Sequence, residues 1–239
     1  MIIEIEKYVA LFFIYSFLGW LMESVGDSIK KKKFINRGFL IGPYCPIYGT
    51  GVLLITILLR KYNDDIWITF FMSLLICGTL EYMTSYIMEK IFKARWWDYS
   101  HRKFNVNGRI CLGTMIPFGI LAIIIVCVSN QIFLNILYKL SDITINIISI
   151  TGLIIFLTDT IVSFNVISQV RKTTTKINSD FKFDSTEEIT EKVKDILLKK
   201  SILSRRLINA YPKINTIKEK IKIKKEKIHE KIANTTKKG

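Results

Sequence analysis

Tyr8-Val-Ala-Leu-Phe-Phe-Ile-Tyr-Ser-Phe-Leu-Gly-Trp-Leu-Met-Glu-Ser-Val-Gly-Asp27 holds one charge, Glu23, before its final residue. A helix of that length reaches about 30 Å, the thickness of a bilayer's hydrocarbon core. Four more stretches of this kind follow, at 39–59, 66–90, 110–130 and 143–168. The expected fold is all-α: a polytopic membrane helix bundle of five spans. The first stretch is longer than a typical signal-peptide core and lacks a small-x-small cleavage site, so it reads as a retained helix. Residues 131–141 are also apolar, but short and amphipathic. They fit an interfacial helix or an extension of the fourth span better than a sixth crossing.

Charge sets the expected orientation. The leader carries Lys7, and loop 1 carries Lys30, Lys31, Lys32, Lys33 and Arg37. Loop 2 has Arg60 and Lys61; loop 3 has Lys90, Lys93, Arg95, Arg102, Lys103 and Arg109; loop 4 has Lys139. Heavy and light clusters alternate. Since basic loops stay in the cytoplasm, the N-terminus is expected outside and the C-terminus inside. Residues 171–239 hold 20 Lys/Arg against 9 Asp/Glu, so they carry +11 of the chain's net charge of +15. The expected division is a transmembrane bundle, 1–170, and a basic cytoplasmic helical arm, 171–239. In the arm Ile189, Val193, Ile196, Leu203 and Leu207 recur at helical spacing, as do Ile214, Ile217, Ile221, Ile228 and Ile232, with Pro212 between the two sets. A helical hairpin, a coiled-coil arm or a basic surface on anionic lipid would all satisfy that pattern. Nucleic acid is not an expected partner, because the arm has little aromatic surface and adjoins a membrane.

The second stretch is irregular. Gly38-Phe-Leu-Ile-Gly-Pro-Tyr-Cys-Pro-Ile-Tyr-Gly-Thr-Gly51 holds four glycines and two prolines. It reads either as a loop before a short helix starting near Pro46, or as a half-helix whose N-terminus faces a polar cleft. Irregular backbone at membrane depth needs protein or a water-filled cavity around it.

Ionisable groups within spans cost about 2.5–3.5 kcal/mol each, so each needs a reason. Glu23 precedes Lys30 by seven residues, about 10 Å; Glu81 precedes Lys90 by nine, about 13 Å. Asp159 precedes Arg171 by twelve residues, about 18 Å, nearer the midplane. Glu23 and Glu81 thus share a depth with the broken start of the second stretch, just above Arg109. Either carboxylate pairing with Arg109 would pin the bundle, and a cytoplasm-facing pocket for a cation, a proton or a polar ligand is compatible with that. In loop 3, Trp96, Trp97 and Tyr99 suit the headgroup level. Asp98, Asn105 and the turn pair Asn107-Gly108 suggest a structured cap.

Several motifs carry a resemblance. Gly19-Trp20-x-x-Glu23 is followed by Lys33-Phe-Ile-Asn-Arg-Gly-Phe-Leu-x-Gly-Pro-x-Cys-Pro-Ile-Tyr-Gly49, and then by Glu81-Tyr82. Ala94-Arg-Trp-Trp-Asp-Tyr-Ser100 and Phe104-Asn-x-Asn-Gly-Arg-Ile-Cys111 complete the series. Over about residues 8–130 the chain resembles the putative ABC-transporter type IV (CmpB-like) permease family of bacteria. The resemblance implies a multi-pass protein of the bacterial cytoplasmic membrane and a transport role.

The candidate ligand-binding or ion-pair cluster is Glu23, Asn36, Arg37, Tyr48, Glu81, Trp97, Asp98, Tyr99, Asn105, Asn107 and Arg109. No catalytic residue, metal ligand or cofactor is expected. Cys45, Cys77, Cys111 and Cys127 form no CxxC pair, and His101 and His229 lie far apart. The chain has no GxxxxGK[ST] loop to cradle nucleotide phosphates, so an ATPase would be a separate subunit. A thin bundle would also call for a homodimer or a partner permease, beside the lipid bilayer and an anionic lipid or cytosolic protein on 172–239. The competing functions are a scaffold or sensor recruiting a partner through the basic tail, and a membrane enzyme acting on lipid headgroups. The second lacks a Ser-His or Cys-His pair, an HExxH motif or an acidic metal cluster.

Overall fold

The computed structural model describes residues 2–62, 65–180 and 186–216. Eight α-helices and four two-residue strands occur among the described residues. Helix α1 is Ile2–Lys31, α2 is Pro46–Leu58, α3 is Ile66–Phe92 and α4 is Leu112–Ile124. A π-turn, Ile125–Ser129, joins α4 without a break to α5, Asn130–Lys139. Then come α6, Asp142–Asp180, α7, Thr186–Lys200, and α8, Ile202–Ala210.

Four segments are long and apolar enough to cross a membrane: Ile3–Lys31, Ile66–Phe92, Leu112–Lys139 and Asp142–Ile177. They match four of the five expected stretches, the fourth opening at Leu112 because Ile110–Cys111 is a strand, and residues 131–139 do extend it. Of the two readings of the second stretch, the loop before a short helix starting near Pro46 is the one observed. Only Pro46–Leu58 is helical there, thirteen residues, or about 20 Å, two-thirds of a hydrocarbon core. Pro46 at the first helical turn starts it, where a missing N–H costs nothing.

Contacts sort the helix ends into two groups. At one end, the Ser149 hydroxyl donates to the Glu6 carbonyl at 2.9 Å, and Tyr138 donates to Glu4 at 3.1 Å. This N-terminal end therefore gathers the starts of α1 and α6 and the close of α5. At the other end, Lys31 Nζ donates to the Asn209 carbonyl at 3.2 Å. Strand β1, Ala94–Arg95, pairs there with β4, Asn215–Thr216. This is the tail end.

Helix α2 begins between the two. The Cys45 N–H donates to the Ser16 carbonyl at 2.8 Å. Ser16 lies fifteen residues from the end of α1, about 22 Å up the helix. Residues 32–45 thus climb from the tail end to mid-bundle, and α2 covers the remainder of the depth. Close approach makes this contact tight: a Cβ on Gly49 would stand 2.4 Å from the Phe12 carbonyl oxygen and 2.3 Å from Ser16 Oγ. Small residues let helix backbones meet in this way.

The described part of the tail is a packed hairpin. Ile189, Val193 and Leu207 are buried, as their spacing predicts, and join Trp96, Val170 and Tyr211 in one apolar core. Leu203 is half-buried, and Ile196 is the exception. It is exposed, and its neighbour Leu197 takes the inward position. Ile214 is also buried, whereas Ile217, Ile221, Ile228 and Ile232, like His229, lie outside the described residues. Helix α6 runs through residue 170 without interruption.

Candidate functional site

The climbing segment 32–45 is held by polar side chains. Lys32 leaves α1 with a left-handed backbone, φ 51°. Ser28 Oγ then accepts the Ile35 N–H at 2.9 Å, and Ser24 Oγ accepts the Arg37 N–H at 3.1 Å. Trp20 Nε1 donates to Asn36 Oδ1 at 2.7 Å, while Asn36 Nδ2 donates to the Ile41 carbonyl at 3.0 Å. On the far side stands Asp159 of α6. Its carboxylate accepts the Ile41 N–H at 3.0 Å, the Gly42 N–H at 2.7 Å and the Tyr44 hydroxyl at 2.5 Å. Ser163 donates to it as well, at 2.7 Å. A non-helical strand inside a helix bundle must have its backbone groups paired, and α1 and α6 supply the partners. Asp159, costly in a span, is explained by that duty.

Because α2 starts at mid-depth, no helix among the described residues fills the tail-end half between the α1/α6 pair and the α3/α4 pair. A cavity of about 990 Å³ occupies this space. Its walls come from α1, α2, α3, α4, α6 and the 93–111 loop, and most of them are apolar, including Val52, Ile55, Phe118, Leu121 and Phe156. The polar wall is narrow. Tyr48 donates to Glu23 Oε1 at 2.7 Å. Arg37 Nε lies 3.3 Å from Glu23 Oε2 and 3.2 Å from Asp27 Oδ2, and its guanidinium also donates to the Ala210 carbonyl of the tail. Opposite, Tyr99 donates to Glu81 Oε1 in a long bond of 3.4 Å. Burial, assisted by the Glu81 carboxylate, pushes the Tyr99 phenol above its ordinary pKa, which keeps it a neutral donor.

Loop 3 closes the tail end. Asn107 and Gly108 both have positive φ, 53° and 67°, and the Arg109 N–H donates back to the Val106 carbonyl at 3.0 Å. That turn joins β2, Asn105–Val106, to β3, Ile110–Cys111. Asn105 secures it, since its Oδ1 accepts the Gly108 N–H at 2.9 Å and its Nδ2 donates to the Arg102 carbonyl at 2.7 Å. Asn107 Nδ2 donates to the Tyr82 hydroxyl at 3.0 Å. Asp98 accepts the Ser100 N–H at 2.9 Å, and Trp97 Nε1 donates to the Arg109 carbonyl at 3.1 Å.

Glu23, Arg37, Tyr48, Glu81, Trp97, Asp98 and Tyr99 therefore line one cavity. Asn36, Asn105 and Asn107 are builders of its loops. Arg109 stands apart. Its ion pair is with Glu89, at 2.9 Å, and neither Glu23 nor Glu81 is its partner. Arg95 meets the same Glu89 oxygen at 2.9 Å. Sequence reasoning missed Glu89 and Asp27. Helical spacing was the available signal: Asp27 lies one turn beyond Glu23, and Glu89 two turns beyond Glu81, on the same helix faces. All four cysteines are free, Cys45 and Cys111 buried and Cys77 and Cys127 partly so. Among the described residues no group of three or more His, Cys, Asp or Glu is placed to hold a metal ion.

Residues 10–164 match the family described as Putative ABC-transporter type IV. The chain belongs to this family. The match takes in α1 to α5, the climbing segment, loop 3 and the part of α6 that carries Asp159, and so extends beyond residue 130. Helices α7 and α8 fall outside it. Neither a curated protein nor a solved structure matches the chain at a significant level.

Proposed function

We propose that the chain is the permease subunit of an ABC-type transporter in a bacterial cytoplasmic membrane, with its cavity open to the cytoplasm. The observation that carries this reading is the short α2 starting at mid-depth above a cavity of about 990 Å³ with a polar wall. Broken helices beside a mid-membrane cavity are how transporters make room for substrate, and the volume matches pockets that hold small molecules. The tail end is the cytoplasmic side in this reading. It carries Lys30 to Lys33, Arg37, Lys93, Arg95, Arg102 and Lys103, against Lys7, Arg60, Lys61 and Lys139 at the other end. The climbing segment and α2 together then make the fifth crossing. A separate ATPase subunit docks on the layer formed by loop 3 and the α7–α8 hairpin, and a second permease copy completes the pathway.

Two measurements test this. With the four native cysteines replaced, Thr84→Cys on the cavity wall should react with a membrane-impermeant maleimide in inside-out vesicles and stay unlabelled in right-side-out ones. The opposite pattern overturns the orientation. The chain purified gently from its native membrane should carry vanadate-sensitive ATPase activity, and its absence would remove the ABC-subunit reading.

A further inference from the structure

The cavity holds one carboxyl group that its surroundings do not pair. Glu81 is 7% exposed, and among the described residues the only hydrogen bond to its side chain is the long one from Tyr99 to Oε1. Its Oε2 atom is buried and has no hydrogen-bond partner among the described residues. Among the described residues no basic group forms an ion pair with it: Arg37 is engaged by Glu23 and Asp27, and Arg109 by Glu89. Leaving a buried carboxylate without a counter-charge is expensive.

The nearby groups sharpen the sign. Two carboxylates and one guanidinium make up the Glu23–Asp27–Arg37 cluster, a formal charge of −1, with the Arg206 guanidinium held nearby on the Phe39 carbonyl outside the cavity wall. The cavity's remaining cations, Lys30, Lys31, Arg102 and Lys213, belong to the tail-end loops and helix termini. Beyond them, the deeper wall is apolar and aromatic, with Phe118 and Phe156 lining it together with Tyr48. Aromatic faces attract cations, and do so more strongly where water is excluded.

We infer that the cavity binds an amphipathic organic cation, with Glu81 as the counter-charge and Tyr99 as the hydroxyl that orients it. The apolar body of the ligand fills the space beneath α2, and its positive centre lies against Glu81. This rests on the cavity being the substrate site and names the class of substrate. An inorganic cation would leave the apolar walls without a partner, and an organic anion would meet the unbalanced carboxylate.

The test uses the full chain in mild detergent and radiolabelled tetraphenylphosphonium, a permanent cation of suitable size, with tetraphenylborate as the anion of matching shape. Saturable retention of the cation is expected, with little of the anion. Glu81→Gln should weaken cation binding at least about ten-fold, the loss expected for one contact to a charged group. Glu81→Asp should restore part of it. Thr84→Trp, which fills the cavity and leaves the carboxylate in place, should abolish binding and so serves even where Glu81→Gln fails to fold. Undiminished cation binding in Thr84→Trp or in folded Glu81→Gln, or preference for the anion, overturns the inference. The assay needs neither an ATPase nor membrane sidedness. Its failure would leave the transport reading standing, and a chain without an ATPase would leave this one standing.

Discussion

The two halves of the bundle are held by different physics. Toward the N-terminal end α1 and α2 meet backbone to backbone at Gly49, and the polar groups between the helices are neutral, with the Lys7–Glu4 ion pair only at the rim. Tyr15 donates to Asn130 Oδ1 at 2.8 Å, and Asn130 Nδ2 donates to Thr56 at 2.7 Å. At the tail end, where α2 is missing, the same α1 stands away from α3 across the cavity. Ion pairs, the Asp159 clasp and the tail's apolar core hold that half. A helix that stops halfway therefore divides one bundle into a dry, close-packed half and an open, charged half. Close packing holds the first together, and charge pairing with the tail's apolar core holds the second around room for a ligand.

The contrast can be broken most severely at Glu89. One oxygen of Glu89 meets both Arg95 and Arg109, and the Arg109 side chain is only 8% exposed. Glu89→Ala leaves that guanidinium buried and uncompensated. The unfolding free energy in mild detergent should fall by about 3–5 kcal/mol. A change within experimental error would mean that charge does not hold the tail end together.

Gly49→Val probes the dry half. A side chain there collides with the α1 backbone, and the expected loss is about 1–3 kcal/mol or more, seen as a lower unfolding midpoint. Gly51→Ala is the control. Its Cβ would meet only Leu80 and Cys77, at 3.6 and 3.8 Å, ordinary contact distances, so the midpoint should hardly move. Smaller still is Tyr15→Phe, which removes one neutral hydrogen bond and leaves the buried Asn130 oxygen short of a donor. It should cost about 1 kcal/mol by the same titration.

The gentlest probe is pH. Burial raises the Asp98 pKa, but hydrogen bonds from Ser100 and the charge of Arg95 outweigh that and hold it below the ordinary value. A carboxylate whose folded pKa is depressed adds stability above its unfolded pKa of about 3.9 and loses it as pH falls through the folded value. Loop 3 should therefore stay constant from neutral pH to about pH 4 and loosen below, as read by Trp96 and Trp97 emission. Asp98→Asn should remove that acid step. An acid transition that persists in the variant would assign it to another group.

Much of the bundle was legible in one dimension because hydrocarbon is an unforgiving solvent. A run such as 143–168 has few other places to go, so the four long helices follow from length and hydropathy. The punctuation was legible too: Pro46 starts α2, and Asn107-Gly108 makes the turn, because these residues act through their own backbone. Pairing was not legible. Glu23, Glu81 and Arg109 share a depth, and depth alone suggested that they meet, yet Arg109 turns to Glu89. Which face of α3 looks toward loop 3 depends on helix rotation, and a few residues of rotation change every partner.

The amino-acid order by itself determined that this chain is a helical membrane protein, where its helices run and where its irregular segment lies. Those are properties of single segments facing lipid or water. Only the tertiary structure decided that α2 stops at mid-depth, that Asp159 clasps the climbing strand, and that the tail packs into a hairpin on Trp96. The first depends on Cys45 meeting Ser16 and the other two on groups more than a hundred residues apart meeting, Asp159 with Ile41 and Trp96 with Tyr211, and no local pattern encodes such meetings.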